Sequence, residues 1–253
     1  MKKILALVLA LAMVLSLAAC SSKPAESAAP TDAPAESAEA PAESAEAPAD
    51  NAEPSVINVC LASEPDTIDP ALNSAVDGAT LTAHLFSGLA KWAQDENGNL
   101  EIVADAATEL PEGVTNEDGT VTYTYTLRDG LVWSDGQPVT AGDFAFAWQR
   151  AASPELAADY GYMFEVVDGY ADMWATDDDG NFLNPDAQLN VVALDDKTLH
   201  VTTANYVAYW NELLAFPTYF PVREDVVSND AWATDPSTYV CNGPYTMESW
   251  EHN

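Results

Sequence analysis

The sequence predicts a mixed α/β (α+β) domain behind an export signal and a low-complexity tether. Three observations lead there. One segment alternates apolar and polar residues at a strict period of two, a capping box opens a helix soon after it, and all 24 aromatic residues lie beyond residue 55. Strands interleaved with helices in one apolar-rich region point to a layered α/β or α+β core. At 253 residues, 48% of them hydrophobic, there is room for one large domain or two small ones. The charge is lopsided, with 8 Lys+Arg against 41 Asp+Glu for a net of −33. Nucleic acid is therefore excluded as a partner, because phosphate binding needs a basic face. Adsorption to an anionic membrane by charge alone is excluded on the same ground. Three cysteines are too few for a disulfide-framed mini-protein, and no close-spaced Cys or His pair marks a zinc site.

The chain opens with Lys2 and Lys3, followed by sixteen uncharged residues, 4–19, and by Leu17-Ala18-Ala19-Cys20. A positive start, a short apolar run and small residues at the exit describe a secretory signal over residues 1–20. Sixteen residues are also short for a membrane span. The last four resemble a bacterial lipobox, which would make Cys20 the lipidated first residue of a mature surface lipoprotein. Residues 21–55 hold 12 Ala, 6 Pro, 6 Ser and 8 Asp+Glu without one aromatic, and Ala-Pro-Ala-Glu-Ser-Ala-Glu occurs twice in succession. The period of seven cannot form a coiled coil, since each repeat carries a proline and no large apolar residue. Such a segment cannot offset its ordering entropy and is expected to be a disordered linker. Its reach is roughly 30 Å as a coil and about 100 Å as stretched polyproline II.

Within residues 56–253 the elements follow in order. Residues 56–61 (Val-Ile-Asn-Val-Cys-Leu) read as a buried strand, short and rich in β-branched residues. A helix is expected over about 79–90, with Leu81, Leu85 and Leu89 on one face and Asp77 as its cap. From Thr120 to Leu127 the alternation has no fault, with Val121, Tyr123, Tyr125 and Leu127 on one side and threonines on the other. Asp129-Gly130 and Asp135-Gly136 are turns. Thr140-Ala141-Gly142-Asp143 is a capping box with Asp in place of Glu, opening a helix over Ala141–Ala152. Residues 191–194 and 198–203 flank Asp195-Asp196 as a hairpin, residues 206–216 look helical up to Pro217, and 245–250 read as another strand. The acidity of this region, 33 acids against Lys91, Arg128, Arg150, Lys197 and Arg223, fits a well-solvated exported surface better than a site for a cation.

Between residues 125 and 144 the motifs become specific. Leu127-Arg128-Asp129-Gly130-Leu131-Val132-Trp133-Ser134-Asp135-Gly136 runs into Thr140-Ala141-Gly142-Asp143-Phe144. This closely resembles the signature of the family 5 extracellular solute-binding proteins, the peptide and nickel receptors of ABC importers. Ser63-Glu64-Pro65, Ile68-Asp69-Pro70, Leu85-Phe86-Ser87-Gly88-Leu89, Trp148-Gln149-Arg150, Asp195-Asp196-Lys197-Thr198-Leu199 and Asn242-Gly243-Pro244-Tyr245 agree in the same order. Trp148-Gln149-Arg150 fits the oligopeptide-binding branch.

The resemblance implies a periplasmic-binding-protein-like fold whose two lobes close on a ligand. Residues 56–86 and 223–253 would belong to the first lobe, and 87–222 would be an inserted domain packed on it. A second lobe would follow Asn253 and is absent from these residues, so the resemblance reads the chain as the N-terminal half of a longer receptor. It implies a non-enzymatic, monomeric component with no cofactor, lipid-anchored on the outer face of the cell membrane. Its task would be to capture oligopeptides and deliver them to ABC permease subunits and, through them, to an ATPase. An extended peptide would be held through its backbone. The ligand loop of relatives corresponds to Ser74, Ala75 and Val76, and a site-lining tyrosine to Tyr160. Phe216 stands where relatives carry a histidine, and Ser74 where they carry an acid, so the pairing with the ligand's amine end departs from the family pattern. Cys60 and Cys241 both fall in first-lobe segments beside the cleft, in an oxidising compartment. A disulfide and two separate thiols are both open to them.

Other motifs have structural readings. Arg128, Trp133 and Asp135 belong to a hairpin corner, and His84, His200 and His252 lack spaced partners for a metal or a triad. Asp177-Asp178-Asp179-Gly180-Asn181 lacks the closing Glu of a calcium loop and reads as solvated. Rival functions are the same fold binding a dipeptide, a nickel chelate or a glycan, a sensor or adhesin, and an exported hydrolase. The hydrolase would need a shielded carboxylate, and no motif singles one out.

Overall fold

The computed structural model describes residues 55–251. The expected signal segment with Cys20, all but the last residue of the linker, and His252 lie outside them. Two sheets organise the described residues. The first is a hairpin of β1 (Ala90–Gln94) and β2 (Leu100–Ala104). The second has four antiparallel strands in the order β3 (Val114–Thr115), β4 (Val121–Thr126), β6 (Thr198–Thr203), β5 (Val191–Ala193). Around them lie α1 (Val76–Leu85), α2 (Ala141–Ala152), α3 (Tyr170–Met173), α4 (Trp210–Leu214), α5 (Glu224–Val227) and two 3-10 turns, Gly161–Val166 and Pro217–Tyr219. Among the described residues no helix is long and apolar enough to cross a membrane.

The alternation in β4 becomes a two-sided strand. Val121, Tyr123 and Tyr125 are buried, with Tyr123 opposite Val201 and Tyr125 opposite Leu199 on β6. Their side chains meet α2 and α4 in an aromatic core. Phe164 stacks on Tyr219 at 4.2 Å between ring centroids, and Trp148 meets Tyr219 edge-on at 5.0 Å. Three polar tips there have partners within the core. Trp210 Nε1–H donates to the Tyr125 hydroxyl at 2.7 Å, Trp148 Nε1–H to the Tyr219 carbonyl at 2.8 Å, and the Tyr219 hydroxyl to the Met163 carbonyl at 2.8 Å. Aromatic bulk thus fills the core with these three donors paired, while the buried Thr218 hydroxyl in the adjoining turn has no hydrogen-bond partner among the described residues.

Helix α2 starts and stops where its sequence says. Thr140 Oγ1 accepts the Asp143 N–H at 3.3 Å, and Asp143 Oδ2 accepts the Thr140 N–H at 2.8 Å. The same carboxylate oxygen accepts Trp133 Nε1–H at 3.2 Å, tying the buried indole of the hairpin corner to the helix start. Thr140→Ala is expected to cost about 1 kcal/mol, within the usual 0.5–2 for a lost cap, read as a shift in urea midpoint at unchanged slope.

Several expectations are corrected. Residues 56–61 form no strand, and Val56 is 81% exposed. Residues 245–250 form none either, and Tyr245 is exposed. Both have strand composition, but no neighbouring strand among the described residues supplies a ladder for them. Cys60 and Cys241 are free thiols. Cys60 sits on the exposed, unpaired segment, while Cys241 is buried and donates to the Tyr245 carbonyl, so the pair is not joined. Helix α1 begins at Val76 instead of Ala79, with Ala75 at its cap position, and ends at Leu85, so Asp77 lies in the first turn and caps nothing. The helix expected over 206–216 is reduced to α4 before the Pro217 turn. The β1–β2 hairpin went unread, although Asn97-Gly98 is its turn signal: the Asp95 carboxylate accepts the N–H groups of Asn97 and Asn99.

Arg223 ties the residues after Val222 to the Asp135 turn. Its Nη1 donates to Asp135 Oδ2 at 2.6 Å and its Nε to Asp225 Oδ1 at 2.9 Å. The Arg223 hydrogen bond holds the Asp225 carboxyl below its ordinary value. Burial pushes Asp135 upward, but the Gln137 N–H and Arg223 outweigh it and hold it low too. Folded-state carboxyls depressed in this way stabilise the fold above the unfolded pKa near 4, and that stability is lost as pH falls through the folded values. The melting temperature should therefore hold steady from about pH 7 to 5 and fall below about pH 4. Arg223→Gln should flatten part of that fall.

Candidate functional site

The loop of residues 68–76 is anchored from below and exposed on top. Asp69, 1% exposed, accepts two hydrogen bonds from the Arg150 guanidinium, Nη1 to Oδ1 at 3.2 Å and Nη2 to Oδ2 at 2.7 Å. Asp69 Oδ1 also accepts the Ala71 N–H at 2.9 Å, and the buried Tyr239 hydroxyl donates to the Ile68 carbonyl at 3.0 Å. The Asn73 side chain closes the loop, donating to the Ala75 carbonyl at 3.0 Å and accepting the Ala75 N–H at 3.4 Å. Gly78 lets α1 sit directly on that side chain, because a Cβ there would fall 2.0 Å from Asn73 Oδ1. Ser74, Ala75 and Val76 are left exposed at the helix start.

Tyr160 stands at the start of the Gly161–Val166 turn, eight residues beyond the end of α2. Gly161 permits the turn to close on α2, since an added Cβ would meet the Ala151 carbonyl oxygen at 2.8 Å. The half-buried Tyr160 ring meets Phe216 edge-on, centroids 5.1 Å apart at 75°, and lies 6.3 Å from the exposed Tyr162. Phe216 leads into the Pro217–Tyr219 turn, which packs on α1. Tyr160 and Phe216 are thus in direct contact, and the turn after Phe216 packs on the helix whose start carries Ser74, Ala75 and Val76. Arg150 and Asp69, which hold this arrangement, lie in segments recognisable in the sequence. Their pairing across 81 residues had no local signal.

At the expected boundary between first lobe and inserted domain, Asn242 grips both backbone groups of Ser87. Its Oδ1 accepts the Ser87 N–H and its Nδ2 donates to the Ser87 carbonyl, both at 3.0 Å. Other titratable groups are engaged locally. The Asp177 carboxylate accepts the Asn181 side chain and the N–H groups of Asn181 and Asp179, which hold it below its ordinary value. His84 Nδ1 lies 2.7 Å from the Thr80 carbonyl one turn earlier on α1. Among the described residues no group of three or more His, Cys, Asp or Glu could hold a metal. The described residues offer an exposed loop at a helix start and an aromatic pair, features that suit binding an extended chain by main-chain hydrogen bonds and ring contact.

Residues 101–253 match the family described as bacterial extracellular solute-binding proteins, family 5 Middle. The oligopeptide-binding protein OppA of Bacillus subtilis (strain 168) is 35% identical over 202 residues, covering 79% of this chain and 34% of that protein. The probable deoxycholate-binding periplasmic protein YgiS of Escherichia coli (strain K12) is also 35% identical, covering 76% of this chain and 34% of its own length. Among solved structures, Listeria monocytogenes OppA bound to peptide has a TM-score of 0.60 at 33% identity, covering 73% of this chain and 34% of that one. The chain spans about a third of the length of these relatives.

Proposed function

Because this chain belongs to the family 5 bacterial extracellular solute-binding proteins, we propose that it serves the capture of oligopeptides for an ABC importer. The observation that carries this reading is the Tyr160–Phe216 ring pair, joined by Ser74, Ala75 and Val76 left exposed on the loop that Arg150 and Asp69 anchor. A peptide lies extended along this wall, its backbone bonded at the loop and its side chains loosely accommodated against the rings. Residues 56–86 and 223–253 act as first-lobe segments and 87–222 as an inserted domain. Closure of a second lobe over the peptide commits it for delivery to permease subunits, with transport energy from a separate ATPase. The protein is exported, held at the outer face of the cell membrane by lipid on Cys20, works as a monomer and catalyses no reaction. Sequence similarity to OppA proteins and the absence of any motif-marked catalytic carboxylate support this reading over a hydrolase.

Amide hydrogen exchange tests it. Adding a mixture of tetrapeptides to the 253-residue chain should slow exchange at residues 72–78 and 158–164. Tyr160→Ala should weaken the effect about five- to ten-fold, in keeping with roughly 1 kcal/mol or more for a central aromatic contact. Protection by a nickel chelate or a glycan in place of peptides would move the assignment to another ligand on the same fold. Protection confined to other segments would remove it.

A further inference from the structure

A cavity of about 520 Å³ is lined by none of the five residues of the peptide wall. Its volume is within the usual 300–1,000 Å³ of small-molecule sites. Phe86, Leu131, Phe220 and Pro244 form apolar walls, and the half-exposed Trp92 stands with Lys91 among the lining residues. Asn242 and Ser87 also line it, but the Asn242 amide is already engaged with the Ser87 backbone. The charged groups of the lining are Lys91, Arg128 and Asp105.

These three are unevenly matched. Asp105 Oδ1 accepts Lys91 Nζ at 3.0 Å and has Arg128 Nη2 at 3.7 Å, so two cations share one carboxylate. Elsewhere among the described residues each Lys or Arg has a carboxylate of its own: Arg150 with Asp69, Lys197 with Asp129, and Arg223 with both Asp135 and Asp225. The cavity therefore carries a surplus positive charge in a chain whose net charge is −33. The Lys91 and Arg128 side chains are 55% and 50% exposed, free to turn toward a ligand, while Asp105 is 10% exposed. The overall negative charge opposes an approaching anion, but that repulsion is screened beyond roughly 8–10 Å at physiological salt. The two cations act at contact beside low-dielectric walls, where charge interactions are strongest.

We propose that this cavity is a second binding site, for an amphipathic organic anion: a carboxylate held by Lys91 and Arg128 with its apolar body against Phe86, Leu131 and Phe220. The site is independent of the peptide wall.

Calorimetric titration of the 253-residue chain with decanoate tests this. Saturable one-to-one binding is expected, with neutral decanol at least about ten-fold weaker, the equivalent of one lost charge contact. Lys91→Met and Arg128→Gln should each weaken decanoate by about ten-fold, and Asp105→Asn, which frees both cations, should tighten it. Tetrapeptide protection at residues 72–78 should be unchanged in all three variants. No saturable decanoate binding up to about 1 mM, the weak end of specific affinity, overturns the proposal. So does equal binding of decanol, or decanoate binding indifferent to Lys91→Met. Lys91 is half exposed and its replacement should leave the fold intact, so that variant decides the matter even where Arg128→Gln disturbs folding.

Discussion

Arg150→Ala is expected to destabilise the chain by about 3–5 kcal/mol, the usual cost of stripping one partner from a buried ion pair. The asymmetry of burial sets the size. The Asp69 side chain is 2% exposed and the Arg150 side chain 15%, so deleting the guanidinium strands a carboxylate that water cannot reach. That carboxylate would keep one main-chain bond, from the Ala71 N–H, which is far from compensating it. Intact, the pair offsets its own desolvation with two charge-assisted bonds at 3.2 and 2.7 Å, in the planar fork that only arginine presents. Arg150→Lys keeps the charge but not the fork and should fall between wild type and alanine. Urea unfolding gives the stabilities. Hydrogen exchange at residues 70–76 should quicken in Arg150→Lys by more than its global loss of stability explains, because the pair is what pins this loop to α2. Equal quickening throughout would reduce Arg150 to a general stabiliser.

The second large effect is expected at Trp148. Trp148→Ala should cost about 3–5 kcal/mol for lost burial and the cavity left behind, and the unpaired Tyr219 carbonyl should add to that. The indole is fully buried, lies within about 6 Å of Phe164, Trp210 and Tyr219 ring to ring, and bonds the Tyr219 carbonyl at 2.8 Å. Trp148→Phe separates the two contributions: it retains most of the packing and loses the hydrogen bond, so it should cost roughly 1–3 kcal/mol. Because the bonded carbonyl belongs to the turn that follows Phe216, Trp148→Phe should also loosen the Tyr160–Phe216 contact. Near-ultraviolet circular dichroism would register that as a weakened aromatic signal at unchanged helix content. An unaltered signal would show that the turn is held by its own packing on α1.

How much could be read in advance depends on the range of the physics involved. The β4 alternation, the Thr140–Asp143 box, the extent of α2 and the turn between β5 and β6 were legible because each depends on neighbours a few residues away. The resemblance carried by residues 125–144 points to the family, whereas the contact between the Tyr160 and Phe216 rings, 56 residues apart, has no local signal. Strand composition at 56–61 and 245–250 misled, since a strand exists only where a second strand offers its backbone, and composition does not supply one. Whether Cys60 and Cys241 pair was left open by the sequence, and in the fold they are free thiols, one exposed and one buried.

By itself, then, the sequence determined the acidic balance and those local elements that depend on near neighbours, and its motifs carried the resemblance to the family. Only the tertiary structure decided which of five cations stands against which of many carboxylates. It seated Arg150 on Asp69 across 81 residues and left Lys91 and Arg128 to share Asp105 beside an apolar cavity. Charge pairing acts through space at 3–4 Å, and the order of residues along the chain carries no record of which groups will come that close once the core has packed.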